Sequence, residues 1–395
     1  MIVYFVPLFS TILLSYCNNN HYKIEKLGLE YVIILFACLI YCGGYMTGSD
    51  WRSYELIYRN INWKNAISQP MEKGFYLYMC LFRSLNIGFF PFLIFSKVVV
   101  FIILVKTVID ISNNDIFALF LLFGFTNISL FIFVDNPLRF MLALGIVCLS
   151  YKYMIEDCII KFLILIAIAM TFHISSFIMI PIYFLKKIKM SKKKLVILFT
   201  AYHVALSPRI LLVLLKAIIK LFPIVGIMLF SYIKKTETMN YSLITIGSIM
   251  NYLLFLLIIY KSDKIIELKN GRKLYAYAIT YFTLIKLGFV MATVARLALF
   301  MAPFVVVAIS VSIRNLVDKS IAKAFIIIYI LLSSARNIYY SYTYYPYTNY
   351  FINIYKGELP YEYRDNYNKE KYFGRFHEYP KDWHESIDRN EPLFE

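Results

Sequence analysis

Two arginines lie at the ends of strongly apolar stretches, where a charged side chain is costly. Arg139 directly follows an Asn-Pro-Leu segment at a predicted helix start, and Arg296 lies within an Ala-Arg-Leu-Ala segment. A guanidinium stays charged and presents forked N–H donors that match phosphate oxygens. Because ionisable groups at membrane depth are functional candidates by default, both arginines indicate a phosphate-binding site. The alternative is that they only extend to the lipid headgroups.

Three further residues have side chains that can accept a proton during a reaction. Asp50, Glu72 and His173 offer two carboxylates and an imidazole, the usual groups for general base catalysis. Each also has a structural interpretation. Asp50 could cap a helix that begins near Trp51, Glu72 could only start the next helix, and His173 could bond to a backbone carbonyl. The sequence leaves open which of the three acts as a base.

The rest of the chain must position these groups in a lipid environment. Of 395 residues, 60% are hydrophobic and 16% are charged, and the mean hydropathy is +0.65. A water-facing surface could not carry this much apolar side chain. We therefore predict an all-α polytopic membrane protein with about twelve transmembrane helices. The predicted spans are 1–16, 30–47, 91–109, 116–134, 137–154, 159–173, 174–186, 194–207, 242–260, 274–292, 297–313 and 321–340.

Lysine and arginine in short loops predict the orientation. The lysine-rich loops 186–194 and 261–273 belong in the cytoplasm,. Alternation then places the loops at about 48–90 and 208–241 outside, with an interfacial or re-entrant helix within 73–90. We predict a transmembrane domain over 1–341 and a hydrophilic tail over 342–395 that forms an extended appendage. All five candidate residues fall on the outer side.

Five short segments follow one another in the order found in EpsG-type, Wzy-like polysaccharide polymerases, and they resemble the motifs of that family. They are Gly48 to Tyr54 (G-x-D-x-x-x-Y), Glu72 to Phe75 (E-x-G-[FY]), Leu138 to Ala143 (hydrophobic-Arg-Gln-x-x-Ala), Phe172 to Ser175 (F-H-x-S) and Pro346 to Asn349 (P-Y-x-N). Phe140 stands where the family usually has glutamine. The resemblance covers about residues 30–350.

The resemblance implies a GT-C-like enzyme in the bacterial inner membrane. An inverting, metal-independent glycosyltransferase would move a glycan from undecaprenyl pyrophosphate onto the next lipid-linked repeat unit at the outer face, forming O-antigen or exopolysaccharide. A chain-length regulator is a further candidate partner, whereas the net charge of +17 sets topology rather than nucleic-acid binding. From the residues and the resemblance together, we predict Arg139, Arg296, His173, Asp50 and Glu72 as catalytic residues. We predict Arg52, Tyr54, Arg209, Tyr345, Tyr347 and Asn349 as substrate-binding residues.

Two other function classes fit the same topology. A flippase for lipid-linked oligosaccharides would have a similar number of spans, although the halves show no matching Gly/Pro-broken helices. An outer-face ligase or acyltransferase would depend on His173 more than on Arg139 and Arg296. No metal-ligand spacing occurs among the cysteine, histidine and carboxylate residues, and we expect no metal or other cofactor.

Overall fold

The computed structural model describes residues 2–19, 26–69, 72–186, 190–205, 220, 245–290, 292–341, 343–344, 347–353 and 357–373. Every regular element in these residues is helical. The first group of helices comprises α1 (Ile2–Asn19), α2 (Lys26–Cys42), α3 (Trp51–Asn60), α4 (Trp63–Ser68), α5 (Lys73–Ser84), α6 (Phe89–Ser112), α7 (Ile116–Gly124), α8 (Leu138–Ile155), α9 (Ile159–Phe172) and α10 (Met179–Leu185). The second comprises α11 (Lys192–Ala205), α12 (Ile246–Tyr260), α13 (Ser262–Ile266), α14 (Gly271–Val290), α15 (Ala292–Ala298), α16 (Ala302–Arg314), α17 (Lys319–Tyr340), α18 (Tyr350–Asn353) and α19 (Tyr361–Phe373).

Each of the twelve predicted apolar stretches overlaps one of these helices or a helix joined to a short turn. Among the described residues, four stretches are both long and apolar enough to cross a bilayer: Phe89–Ser112, Leu138–Ile155, Ala295–Arg314 and Lys319–Tyr339. Several shorter apolar helices accompany them. The chain is therefore a multi-pass helical membrane protein, while the total of about twelve spans stays a prediction.

Three of the predicted spans are interrupted rather than continuous. Helix α7 ends at Gly124 and the chain resumes as a π-helical turn, Ser129–Val134. Asn127 between them has a left-handed backbone with φ +54°, which a regular helix cannot contain. The 3₁₀ turns Ile174–Ile178 and Leu299–Met301 likewise precede α10 and α16.

The apolar stretches differ in how deeply they are buried. Ala295–Arg314, which contains α16, is 89% buried, whereas Lys319–Tyr339 in α17 is only 22% buried. Helix α16 contacts α6, α7 and α14. It is the centre of the bundle, and α17 presents most of its apolar surface outward, as a lipid-facing helix does.

Ion pairs at the two ends of the bundle agree with the predicted alternation of the chain. At one end, Asp157 bonds to Lys186 and Lys273. At the other, Arg139 pairs with Glu72. We call the end with Asp157 the inner end and the end with Arg139 the outer end. Which of them faces the cytoplasm stays a prediction from the lysine-rich loops.

The last described part of the chain differs from the extended appendage expected for it. Residues 361–373 form helix α19, and Arg364 of this helix makes an ion pair with Glu55 of α3. Both side chains are almost fully buried, at 6% and 3% exposure. A buried arginine needs a carboxylate partner, and that partner comes from a distant helix that hydropathy does not connect to the tail.

Gly48, between α2 and α3, has a backbone that only glycine adopts without strain at that place. Its φ is +87°, and a Cβ there would lie 1.9 Å from the carbonyl oxygen of Val134. Gly357 also has a positive φ, +75°, but a Cβ there would meet nothing within 4 Å. Substitutions at Gly48 and Gly357 therefore distinguish the energetic cost of a positive φ from the cost of a steric clash.

We predict that Gly48→Ala destabilises the protein more than Gly357→Ala does. Alanine in the left-handed region costs about 1 kcal/mol at either position, and the contact with Val134 adds a further cost of about 1–3 kcal/mol. Thermal unfolding of the purified protein in detergent measures the difference. Equal losses in the two variants would contradict the close packing of Gly48.

Candidate active site at the outer end of the bundle

The segment between α2 and α3, residues 43–50, is an irregular loop that the C-terminal segment holds in place. We call it the Asp50 loop. Tyr45 N donates to Thr348 O at 2.9 Å, and Tyr350 N donates to Gly43 O at 2.7 Å. Two segments that are distant in sequence thereby satisfy each other's backbone hydrogen-bonding groups. Backbone groups in a lipid environment need such partners within the protein.

The segment between α7 and α8 holds the other side of the Asp50 loop. Asp50 N donates to Asp135 O at 3.2 Å, and Asn136 Nδ2 donates to Thr47 O at 2.8 Å. Asn136 is buried and has a left-handed backbone, φ +62°. The Asn136 side chain therefore holds the Asp50 loop at Thr47, close to Asp50.

Asp50 does not act as the helix cap considered from the sequence. It occupies the residue before α3, but its side chain makes no capping hydrogen bond and instead accepts from Ser49 Oγ at 3.0 Å. Burial raises the pKa of Asp50, while Ser49, Arg296 and Arg139 oppose this shift. The carboxylate consequently lies within the electrostatic reach of both arginines.

Arg139 and Glu72 form the second part of the site. Arg139 Nη1 donates to Glu72 Oε2 at 2.6 Å, and the Glu72 side chain is only 8% exposed. The other oxygen, Glu72 Oε1, accepts from Ile174 N at 3.3 Å. Glu72 makes no capping bond to α5, so its carboxylate orients Arg139 and joins α5, α8 and the turn after α9.

A glycine two residues after Glu72 allows this approach of α5 to α9. A Cβ on Gly74 would lie 2.1 Å from Thr171 Oγ1. Only a residue without a side chain lets the two helices come this close. The E-x-G spacing thus has a physical reason in this chain, because the glycine brings the acidic residue to the end of α9.

His173 lies at the break between α9 and the following 3₁₀ turn. Its Nδ1 accepts from Ser175 N at 3.2 Å and contacts Ser175 Oγ at 2.7 Å. The same nitrogen is 4.0 Å from Glu72 Oε1, and the ring packs edge-on against Phe140 with a centroid distance of 5.6 Å. Among the described residues, no backbone carbonyl accepts a hydrogen bond from the His173 ring, and Ser175 sets its orientation.

Arg296 is the most accessible cation of the group. It belongs to α15, it is exposed, and its guanidinium lies 5.2 Å from the centre of the Phe131 ring. Within the described part of the chain, no carboxylate oxygen lies within 4.0 Å of it. The positive charge of Arg296 nevertheless interacts electrostatically with Asp50, Asp135 and His173. Arg296 therefore faces the same region as Arg139.

The sequence matches the EpsG family over residues 29–362. The chain belongs to the EpsG family. No curated protein and no solved structure matches it. The resemblance seen in the five short segments is therefore confirmed, and this EpsG family protein is a polysaccharide polymerase-like membrane protein. The GT-C-like fold stays a prediction.

The structure brings all five predicted catalytic residues of the EpsG family protein to the outer end, but the predicted substrate-binding residues are distributed differently. Tyr54 is buried, with its hydroxyl 3.5 Å from Arg139 Nε, and so belongs to the site. Arg52 pairs with Asp365 of α19. Arg209 and Tyr345 lie outside the described residues.

Tyr347 and Asn349, in the P-Y-x-N segment of this EpsG family protein, contact the end of α2. Tyr347 OH donates to Ile40 O at 2.9 Å. Asn349 Nδ2 donates to Leu39 O at 3.0 Å and to Tyr347 OH at 2.6 Å. Both side chains therefore hold the end of α2, directly before the Asp50 loop.

Asp135 is a further acidic residue at the site that sequence reasoning did not select. Its Oδ2 accepts from Tyr344 OH at 2.6 Å, and its Oδ1 is buried without a hydrogen-bond partner among the described residues. Burial raises the pKa of Asp135 to about 6, with Asp50 adding to the shift and Tyr344 opposing it. The signal in the sequence is an acidic residue directly before the Asn-Pro that starts α8.

Metal independence stays a prediction. In the ranges that the structure describes, no group of three histidine, cysteine or carboxylate side chains is arranged to hold a metal ion. Glu72 Oε1 and His173 Nδ1 lie 4.0 Å apart, but Ile174 N donates to the first atom and Ser175 N to the second. The residues of the site instead favour binding of an anion by Arg139 and Arg296.

We predict that Glu72→Gln lowers the free energy of unfolding by about 1–2 kcal/mol, because it leaves Arg139 without its carboxylate. The loss stays modest because the Arg139 side chain is 41% exposed, and water partly replaces the partner. Thermal unfolding measures it, with Glu267→Gln as the matched control.

Glu267 pairs with Lys264 on the surface at 61% exposure, so its replacement should change stability by less than about 0.5 kcal/mol. The double variant Glu72→Gln/Arg139→Gln should lose less than the two single losses together, since the singles share one interaction. Strict additivity would contradict direct coupling of Glu72 and Arg139.

Proposed function

We propose that this EpsG family protein is a polysaccharide polymerase that elongates a lipid-linked glycan at the outer face of the bacterial inner membrane. The main support for the proposal is that two arginines and three possible bases lie close together at one end of the bundle. These residues are Arg139, Arg296, Asp50, Glu72 and His173. Two cations near a buried carboxylate suit a reaction that releases pyrophosphate. A site at the membrane surface lets the substrate keep its lipid tail in the bilayer.

The proposed step is one inverting displacement. A hydroxyl of the incoming repeat unit attacks the anomeric carbon of the growing glycan, which is linked to undecaprenyl pyrophosphate. The new C–O bond forms as the bond to the pyrophosphate oxygen breaks, and the electron pair leaves with the pyrophosphate. The hydroxyl proton passes to a protein base. Pyrophosphate leaves without protonation when cations stabilise its charge.

Arg139 and Arg296 are the proposed ligands of the pyrophosphate. Glu72 holds Arg139 through one nitrogen, which leaves other donors of the guanidinium for a ligand. Arg296 has no carboxylate partner within the described residues, so its full fork of donors is available. Because the two groups come from α8 and α15, they can bind the diphosphate from two sides.

Asp50 is the proposed base. Both oxygens of Glu72 accept hydrogen bonds from Arg139 and Ile174, and Nδ1 of His173 is engaged by Ser175. Among the described residues, the hydrogen bond that the Asp50 carboxylate accepts comes from the neighbouring Ser49. Its raised pKa makes it a stronger base than an exposed aspartate,. Glu72 and His173 are then proposed to orient Arg139 and the acceptor.

The proposed substrate contacts fall into two groups. Tyr54 is buried beside Arg139, and its proposed contribution is through the hydroxyl that lies next to this guanidinium. Arg209 and Tyr345 remain proposed contacts of the glycan. We propose that Tyr347 and Asn349 act by positioning the Asp50 loop, since their polar atoms bond to the end of α2. The reaction is proposed to need no metal, and a chain-length regulator is a proposed partner.

We predict that Arg139→Ala and Arg296→Ala each lower the polymerisation rate at least about 100-fold, because a preorganised donor to the leaving group is lost. Arg296→Lys should give an intermediate rate, since lysine keeps the charge but lacks the fork. The length of the glycan ladder on gels measures this in cells whose only copy is the variant, with membrane levels checked by blot.

Arg314→Ala is the matched control, because Arg314 lies at the inner end and is 52% exposed. Its ladder should equal that of the wild type. A single repeat unit in the two outer variants at normal expression supports the polymerase. An unchanged ladder contradicts a role for the arginines, and loss of even the single unit indicates transport or ligation instead.

We predict that polymerisation falls as the pH drops through the raised pKa of Asp50, because the protonated carboxyl cannot accept the hydroxyl proton. Burial places this pKa above the ordinary 3.8, so the loss should occur at a higher pH than for an exposed aspartate. Initial rates of the reconstituted protein across the acidic range measure it. Asp50→Asn should give a low rate that no longer depends on pH, and an unchanged acid limb in that variant would exclude Asp50 as the base.

A further inference from the structure

A polar cavity lies at the inner end of the bundle, opposite the proposed active site. It has a volume of about 600 Å³ and lies between the break after α8 and the start of α14. Lys186, Arg272 and Lys273 line it together with one carboxylate, that of Asp157. These four side chains carry a net charge of +2, so the cavity favours an anion.

Asp157 holds two of the cations in fixed positions. Its Oδ2 accepts from Lys273 Nζ at 2.6 Å, and its Oδ1 accepts from Lys186 Nζ. Those bonds lower the pKa of Asp157, which stays ionised. The ammonium of Lys186 also lies 3.4 Å from the centre of the Tyr183 ring. The Lys273 ammonium also donates to Ile155 O. An ammonium has three N–H donors, so each lysine keeps one donor for a ligand after these contacts.

The start of α14 adds to the positive potential of the cavity. This helix begins at Gly271 and is 20 residues long, and the N-terminal end of a helix carries partial positive charge. A Cβ on Gly271 would lie 1.9 Å from Ile265 O. The helix start therefore packs directly against the preceding turn, and no side chain of residue 271 fills the cavity.

Part of the cavity wall is apolar. Ile266 and Leu268 line it beside the cations, and the Ile266 side chain is 40% exposed. An inorganic anion gains no favourable contact with these apolar side chains, whereas the glycerol and the first methylenes of a lipid can pack against them. Basic pockets between membrane helices on the cytoplasmic side are suited to anionic lipid headgroups.

We propose that this cavity binds the phosphate-bearing headgroup of an anionic membrane lipid, with Lys186, Arg272 and Lys273 as its ligands. Free phosphate shares the chemistry of that headgroup but not its apolar part. The site is independent of the proposed glycosyl transfer, and it anchors the inner ends of α8, α10 and α14 to the membrane surface.

The test uses the purified full-length protein in detergent with added phosphatidylglycerol, phosphatidylcholine or inorganic phosphate. Lipid retention is measured by native mass spectrometry, together with the midpoint of thermal unfolding. Arg272→Gln removes an exposed cation that makes no bond to Asp157, so folding is preserved. Lys269→Gln is the matched control, because Lys269 is exposed in the same loop but does not line the cavity.

We expect the wild type and Lys269→Gln to retain phosphatidylglycerol, with a raised unfolding midpoint. Arg272→Gln should retain it about five-fold less well, the effect of one lost cation near the surface, and Lys186→Gln/Arg272→Gln less well again. Equal retention in Arg272→Gln and Lys269→Gln would overturn the proposal. So would equal stabilisation by phosphatidylcholine, or stabilisation by inorganic phosphate with none by phosphatidylglycerol.

Discussion

The structure depends on how the irregular Asp50 loop, residues 43–50, satisfies its backbone groups at the end of a membrane helix bundle. An unpaired N–H or C=O costs several kcal/mol where lipid replaces water. Here the partners come from the segment before α8 and from the segment after α17, as in the bonds from Asp50 N to Asp135 O and from Tyr45 N to Thr348 O. Three distant parts of the chain must therefore meet before Asp50 has a fixed position.

That constraint explains why the charged groups of the outer end act on one another. Fixing the segment before α8 also fixes Arg139 at the start of α8, and Glu72 orients its guanidinium across the gap to α5. Arg296 approaches from α15 without a carboxylate partner within the described residues. The two arginines therefore differ in their contacts, because Glu72 restrains Arg139. In the proposed reaction, Arg296 pairs with the incoming anion.

Much of this arrangement follows from the sequence in physical terms. Hydropathy predicts the apolar helices because a long apolar run has no other stable place than a bilayer, and the motif segments identify Asp50, Glu72, Arg139 and His173. Its position before Asn-Pro is the only sequence signal for Asp135, and that signal does not reveal the contact with Tyr344, which joins residues 209 positions apart. The ion pair between Glu55 and Arg364 escapes sequence reasoning for the same reason, because charge patterning reports neighbours along a helix and not partners across the fold.

We propose that this protein forms glycosidic bonds at its outer end. Proteoliposomes that contain only the purified protein receive lipid-linked repeat units on one side, and chain elongation is followed together with release of polyprenyl pyrophosphate. We expect elongation, with one pyrophosphate lipid released per bond, when the units face the side of Asp50 and Arg139. Movement of intact units across the bilayer without elongation would contradict this function.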